Sequence, residues 1–464
     1  MSETSPQSGA PAAGSAWPSD LEPEWQRAFA WIEREVGGAI VAAERQPRWR
    51  PAWFLDLVRS GQTLPLYFRG DRGAADHGVY PLEHEMAVLQ VLERHEIPVP
   101  HVYGFCPEPR GIVMARSPGR ANLATAESDA ERRAVLDEYV DVLARMHRID
   151  PAHFEAVGLA RPATPEALGL GDFDHWERSF RRFKCRPEPL IEFGIRWVRR
   201  NVPRGRSRAA LIHCDAGQFV FEKGHLSALL DFELAYLGDP AADFAGMLCR
   251  DLSEPLGDLT RALRRYEAQT GEALDRAAID YHFVRFALCT PMVVAHLCAQ
   301  PPPDVDFVQY LAWNLVYARA PLEVIAKRIG VELGPVALPP PRATRHTPAS
   351  GALLRGLESA ARSAGTYQAY QIGMAQRVAQ YLERVDLYGP AVEAQELDEA
   401  AALLGARPAG PLEADAALEA LVQASGPERD AELTRYFQRR CRRQELLLEP
   451  AMRELERAAV QQLA

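Results

Sequence analysis

The seven cysteines of this 464-residue chain (Cys106, Cys185, Cys214, Cys249, Cys289, Cys298 and Cys441) include no C-x-x-C pair. An odd number without that spacing excludes a disulfide framework and a structural zinc site, and it points to a reducing, cytoplasmic setting. A chain-wide positive field is also missing. With 53 Lys+Arg against 63 Asp+Glu the net charge is -10, so nothing gathers nucleic acid phosphates and no nucleic-acid partner is expected. Residues 1–20, MSETSPQSGAPAAGSAWPSD, lack both a cationic start and an apolar core; they read as a disordered leader and not as a targeting peptide. No apolar run reaches the ~18 residues that span a bilayer. Arg285, Pro291 and His296 interrupt the longest candidate, Phe283 to Cys298, so no membrane partner is expected. There is no internal repeat.

What is present is a composition of 47% hydrophobic and 25% charged residues, that of a globular chain of several domains. Helical apolar spacing from Leu21 to Ala43 gives way to alternating, aromatic-rich strands in FLDLV and LPLYF, with Arg59-Ser60-Gly61-Gln62 as the reversal. Leu82 to Arg94 carries Leu82, Met86, Leu89 and Leu92 on one helical face, and Gly111 to Met114 is a short buried strand. Together residues 21–114 form a small β-rich lobe. Ser128-Asp129-Ala130-Glu131 is a capping box that starts a helix running to about His147, inside a larger, mostly helical lobe over 115–334. That lobe returns to strands at ALIH, FVF and LSALLD. The Pro-rich stretch 335–348 is the clearest linker, and 349–464 reads as an all-α module.

The chemistry concentrates in Leu211 to Phe244, LIHCDAGQFVFEKGHLSALLDFELAYLGDPAADF. Asp215 and Asp231 stand at the ends of apolar strands, where a sheet delivers polar side chains into a cleft. Phosphoryl transfer needs such a pair: one carboxylate orients and accepts the proton of the attacking hydroxyl, and another holds magnesium against the nucleotide phosphates.

The stretch resembles the kinase-like small-molecule phosphotransferases, the family of aminoglycoside phosphotransferases and choline kinases. Its motif H-x-D, followed by D-[FW]-E-x-A-x-x-G-D-P-x-x-D, appears as His213-Cys214-Asp215, then Asp231-Phe232-Glu233 through Gly238-Asp239-Pro240 to Asp243. The resemblance implies an α+β, bilobal protein-kinase-like fold followed by the helical module, with nucleotide between the lobes. It implies Asp215 as catalytic base, Asp231 as magnesium ligand, Asp243 as an acceptor for catalytic-loop amides, and His213 as a packing residue beneath the loop. It further implies Mg2+ and ATP or GTP as phosphate donor, a hinge whose backbone at Met114, Ala115 and Arg116 meets the adenine, and Glu85 as partner of the phosphate-binding cation. Leu143-Ala144-Arg145-Met146-His147 with Asp150 is similar to the family's L-A-x-L-H-x-x-D helix end.

Three departures accompany it. Arg69 stands where the family has lysine, Gln218 falls where the second magnesium-binding asparagine is expected, and Arg45 to Ala52 holds no glycine, leaving Arg48 and Arg50 to meet phosphate with side-chain charge. An active small-molecule kinase is therefore the favoured reading. The alternative is a nucleotide-binding pseudokinase acting as a regulatory or interaction module. A protein kinase is disfavoured, because D-F-E replaces D-F-G and no A-P-E segment follows.

Bland readings suit the remaining features. No motif adjacent to Cys214 supplies a base and oxyanion donors for acyl transfer, so it reads as a small buried residue. His101, His175 and His225 are isolated and read as ordinary histidines. The stripe Tyr367, Tyr370, Met374, Val378, Tyr381 and Val385 reads as core, and the cluster Arg439, Arg440, Arg442 and Arg443 and the acidic Glu393, Glu396, Asp398 and Glu399 read as solvated helix faces. Basic residues Arg178, Arg181, Arg182, Arg199 and Arg200 lean against a polycationic acceptor. The helical module is expected either to cap the cleft or to join copies into a homo-oligomer.

Overall fold

A computed structural model describes residues 16–17, 21–47, 50–72, 80–303, 305–456 and 458–463. In chain order the first elements are α1 (Pro23–Ile32), β1 (Ala39–Arg45), β2 (Ala52–Arg59), β3 (Gln62–Gly70), α2 (Leu82–Arg94), β4 (Val102–Pro107), β5 (Arg110–Ala115), α3 (Asp129–Met146) and α4 (Ala152–Glu155). Then follow α5 (Pro165–Leu170), α6 (Phe173–Phe183), α7 (Pro189–Arg200), β6 (Ala210–Ile212), β7 (Phe219–Glu222), β8 (His225–Leu229) and β9 (Tyr236–Gly238). Helices complete the chain: α8 (Ala241–Asp251), α9 (Leu259–Thr270), α10 (Arg276–Ala299), α11 (Phe307–Arg328), α12 (Thr347–Ala361), α13 (Thr366–Leu404), α14 (Pro411–Ala424) and α15 (Asp430–Leu448). Two compact units result, one of residues 1–158 with 218–235 and one of 159–217 with 236–464.

The first unit is built on an antiparallel five-stranded sheet in the order β1-β2-β3-β5-β4. Ser60 (φ 53°) and Gly61 (φ 78°) close the β2–β3 hairpin in the left-handed region, the geometry a two-residue turn needs. Lys223 (φ 52°) and Gly224 (φ 81°) close the β7–β8 hairpin in the same way. Trp25, Phe29 and Ile32 of α1 pack with Trp53, Leu55, Leu66 and Phe68 of the sheet as a continuous apolar core. The helix expected to run to Ala43 ends earlier, at Gly37 (φ 78°), and Ala39 onward forms the edge strand β1. Most of the expected leader lies outside the described residues, but Trp17 packs edge-on against Phe29 and the Ala16 N–H donates to the Ile40 carbonyl at 2.9 Å.

The β7–β8 hairpin is moored to α3. Ser128 Oγ accepts from the Glu131 N–H at 3.1 Å, yet Glu131 answers to the Glu127 N–H at 2.6 Å and not to the Ser128 amide that a reciprocal capping box would use. Its other oxygen accepts from Gly224 N at 3.2 Å, and Glu138 accepts from Leu226 N at 2.7 Å. Asp231 lies two residues beyond this hairpin, so carboxylates on α3 set its position.

The second unit is helical apart from the antiparallel β6–β9 pair. Among the described residues α10 alone is long and apolar enough by length and composition to cross a bilayer, and 72% of that window is buried in the fold. Arg285 and Pro291, which interrupt the apolar run, both lie inside this helix, where Arg285 is buried and paired with Asp172 at 2.8 Å.

The helices after the Pro-rich segment belong to this same unit. The arginine run of α15 is not a solvated face, which corrects that expectation; in the acidic run of α13, Glu393 and Asp398 are exposed as expected, whereas Glu396 and Glu399 are half-buried and paired. Arg443 is 1% exposed and pairs with Glu399 at 2.8 Å, Arg440 pairs with Asp415 of α14, and Gln444 donates to Glu396 at 2.9 Å. Each run finds its counter-charge on another helix, a relation that spacing along one helix does not display. Further up, Arg319 of α11, 4% exposed, forks onto Glu445 of α15 at 2.6 and 2.8 Å. Arg319→Met takes from buried Glu445 its shorter-range cation, leaving it Arg442 at 2.9 Å, and is expected to lower stability by roughly 1–3 kcal/mol. Urea unfolding measures this, and adding Glu445→Leu should recover most of the loss.

Candidate active site

In the first unit the site is assembled around a guanidinium. Arg69, near the end of β3, is buried, and its Nε donates to Glu85 Oε2 of α2 at 2.7 Å. Its Nη2 reaches Asp231 and lies 3.2 Å from Glu233 Oε2. Arg50 and Arg72 also pair with Glu233. Burial opposes the charge on Arg69, but Asp231, Glu85 and Glu233 outweigh it and hold the guanidinium firmly protonated. Burial raises the Glu85 carboxyl to about 7 against the pull of Arg69. At Glu233 the three guanidiniums win over burial and keep the carboxyl below its ordinary range. Arg48 lies outside the described residues.

Asp231 adopts φ 65°, a left-handed conformation uncommon for a residue with a Cβ and concentrated at functional positions. Carboxylate oxygens of Glu85, Asp231 and Glu233 lie within 4.8 Å of one another, a hard oxygen donor set that suits a magnesium ion. Gln218 opens the hairpin, its carbonyl accepting from Leu230 N at 3.0 Å. At the expected hinge Ala115 N donates to the His101 carbonyl at 2.8 Å and Arg116 N to the Pro65 carbonyl at 3.0 Å, while Met114 is paired within the sheet. These two amides hold the strands together, and the Arg116 side chain pairs with Asp56 at 2.7 Å.

In the second unit Asp215 pairs with Arg250 of α8. Its loop hangs from one buried carboxylate: Asp243 Oδ2 accepts from His213 N at 3.1 Å and Oδ1 from Cys214 N at 2.9 Å. His213 is buried beneath the loop. Cys214 takes φ 73°, and burial pushes its thiol well up, so it is no nucleophile. A Cβ on Gly246 would sit 2.1 Å from the Cys214 carbonyl oxygen, so only glycine there lets α8 approach the loop.

Asp239, fully buried, anchors the start of α8. It takes a two-point contact from Arg206 at 2.7 and 2.8 Å and the Ala241 N–H at 3.0 Å. Burial alone would raise this carboxyl; His282 and Arg206 overturn that and depress it far below the usual range. A depressed native pKa contributes stability that is complete above the unfolded value of about 3.9 and fades as pH falls through the native one. Asp239→Asn is therefore expected to cost on the order of 3 kcal/mol at neutral pH, with the gap from the parent protein closing below about pH 4 in acid unfolding curves.

Sequence reasoning missed Arg250, Arg72 and the pairing role of Glu233. Arg250 is seven residues after Asp243 on the same face of α8, a spacing that carries the signal. The basic balance of the helical insert also changes meaning. Arg199 pairs with Asp174 at 2.7 Å and with Glu177, Arg181 with Glu192 and Glu177, and Arg200 with Asp430 at 2.6 Å. These charges are already matched, so they do not argue against a cationic acceptor.

The antiparallel sheet with its cation-to-helix pair, the strand hairpin and the mostly helical remainder define a kinase-like phosphotransferase fold. Over residues 58–286 the chain matches the model of the phosphotransferase enzyme family (APH). A crystal structure from Ralstonia eutropha JMP134, provisionally described as an aminoglycoside phosphotransferase, has a TM-score of 0.50 at 21% identity, covering 66% of this chain and 98% of that one. That likeness shows the fold. The macrolide 2'-phosphotransferase MphH of Brachybacterium faecium aligns at 18% identity and a TM-score of 0.42, over 60% of this chain and 99% of that one. Acyl-CoA dehydrogenase family member 10 of Mus musculus is 25% identical over 293 residues, 58% of this chain. The match spans 26% of the mouse protein.

Proposed function

We propose that the chain is a kinase of a small hydroxyl compound, using ATP or GTP, with Asp215 accepting the hydroxyl proton. The observation that supports this most is the Arg69 fork, a buried cation held by Glu85 and turned toward Asp231. A guanidinium preorganised by carboxylates is ready for a polyanionic phosphate and costs little reorganisation when one arrives. Asp231, with Gln218, would hold the magnesium, which when bound neutralises charge between the β and γ phosphates. Arg250, kept charged by Asp215 and Glu254 against the effect of burial, orients the base. The cytoplasm suits this reading, since all seven cysteines are free.

One observation favours the pseudokinase reading. Glu85, Asp231 and Glu233 are matched by Arg50, Arg69 and Arg72, so the cluster has counter-charge without a metal. The test is a screen of aminoglycosides, macrolides and neutral or anionic alcohols with ATP and with GTP, read by magnesium-dependent release of nucleoside diphosphate. Acceptor-dependent release supports the kinase. A nucleotide-induced thermal shift with no release across the panel would transfer the assignment to the pseudokinase.

A further inference from the structure

The second unit contains a cavity of about 810 Å³ that no step of the proposed phosphoryl transfer uses. Asp215, Asp243 and Arg250 do not line it. Its walls come from α7 and α11 on one side and α13, α14 and α15 on the other, so it exists only because the helices beyond the Pro-rich segment are in place. On α11 it is Leu311, Asn314, Leu315 and Ala318 that face the cavity, whereas Tyr317 turns away to donate to the Cys249 carbonyl at 3.2 Å.

Its size lies within the ~300–1,000 Å³ of small-molecule sites. Its apolar body comes from Leu190, Leu315, Val385 and Leu447, with the rings of Tyr381 and Phe437. Leu412 lies 67% exposed in the lining, a large apolar side chain left in water where a ligand would cover it. The charges are lopsided. Glu188, Glu393, Glu396 and Asp415 reach the lining against only Arg186 and Arg440. Arg186 answers Glu188 at 2.7 Å, Arg440 is shared between Asp415 and Glu396, the latter at 3.6 Å, and Arg443, outside the lining, lies 3.7 Å from Glu396, while Glu393 stands exposed. Burial raises the Glu188 and Glu396 carboxyls despite these arginines.

We propose that this cavity binds a small amphipathic organic cation, an amine carried on an apolar body, at a site separate from phosphoryl transfer. The ammonium group meets the surplus carboxylates and the aromatic rings, and the body fills the aliphatic walls. The proposal stands independently of the kinase reading.

Dansylcadaverine, an amine on a fluorescent apolar body, tests it on the full chain beside its neutral N-acetyl derivative. The expected result is saturable, blue-shifted fluorescence with the amine, at least about tenfold weaker binding of the N-acetyl form, and unchanged binding in Asp215→Asn. Val385→Trp fills the space, and Leu412→Arg adds positive charge at a side chain too exposed to threaten folding; each should weaken the amine by about tenfold or more. No saturable signal, equal binding of the acetylated probe, indifference to Leu412→Arg, or loss of binding in Asp215→Asn would each overturn the proposal.

Discussion

Asp215→Asn is expected to slow acceptor-dependent nucleoside diphosphate release by roughly 10²- to 10⁴-fold while leaving the nucleotide-induced thermal shift in place. The amide keeps the volume of the carboxylate and can still meet Arg250, but it cannot accept a proton from the attacking hydroxyl. The loop should keep its shape, because its amides at His213 and Cys214 hang from Asp243 and not from Asp215. A variant that lost the thermal shift as well would point to Asp215 as a binding group. One with undiminished turnover would remove it from the chemistry. The measurement is a single-turnover rate with saturating acceptor, which separates the chemical step from product release.

Asp231→Asn is expected to abolish the magnesium-dependent part of nucleotide binding and to lower turnover by roughly 10³-fold. Asparagine is the right replacement because Asp231 sits at φ 65°, a region asparagine tolerates better than alanine. Loss of the charge leaves Arg69 with Glu85 at 2.7 Å and Glu233 at 3.2 Å, so no buried cation is stranded and the fold should survive. Isothermal titration with and without magnesium reads the effect. If the magnesium-dependent component persists, the ion is held by Glu85 and Glu233 instead.

What the sequence makes legible is tied to short motifs. The spacing of Asp215, Asp231 and Asp243, and the strand and helix that carry Arg69 and Glu85, are local patterns whose meaning a reader can extract one segment at a time. The same holds for the two hairpins, since Ser60-Gly61 and Lys223-Gly224 supply the turn conformations within four residues. Contacts between distant segments are not legible in that way. Arg50 and Arg72 find Glu233 across more than 160 residues, at separations of 183 and 161. The arginine run of α15 reads as a wet surface until α13 and α14 bring carboxylates against it.

The chain leaves the first unit after Gly158, returns to it at Gln218 and departs again after Ala235. During translation this order imposes a delay: the hairpin that carries Asp231 emerges only after the fifty-nine-residue stretch between Gly158 and Gln218. At the ~5–20 residues per second of ribosomal synthesis that is a wait of roughly 3 to 12 s. For that interval α3 waits with Glu131 and Glu138 lacking their hairpin amides. The nascent amino-terminal half therefore spends that interval without the hydrogen bonds that moor its last hairpin.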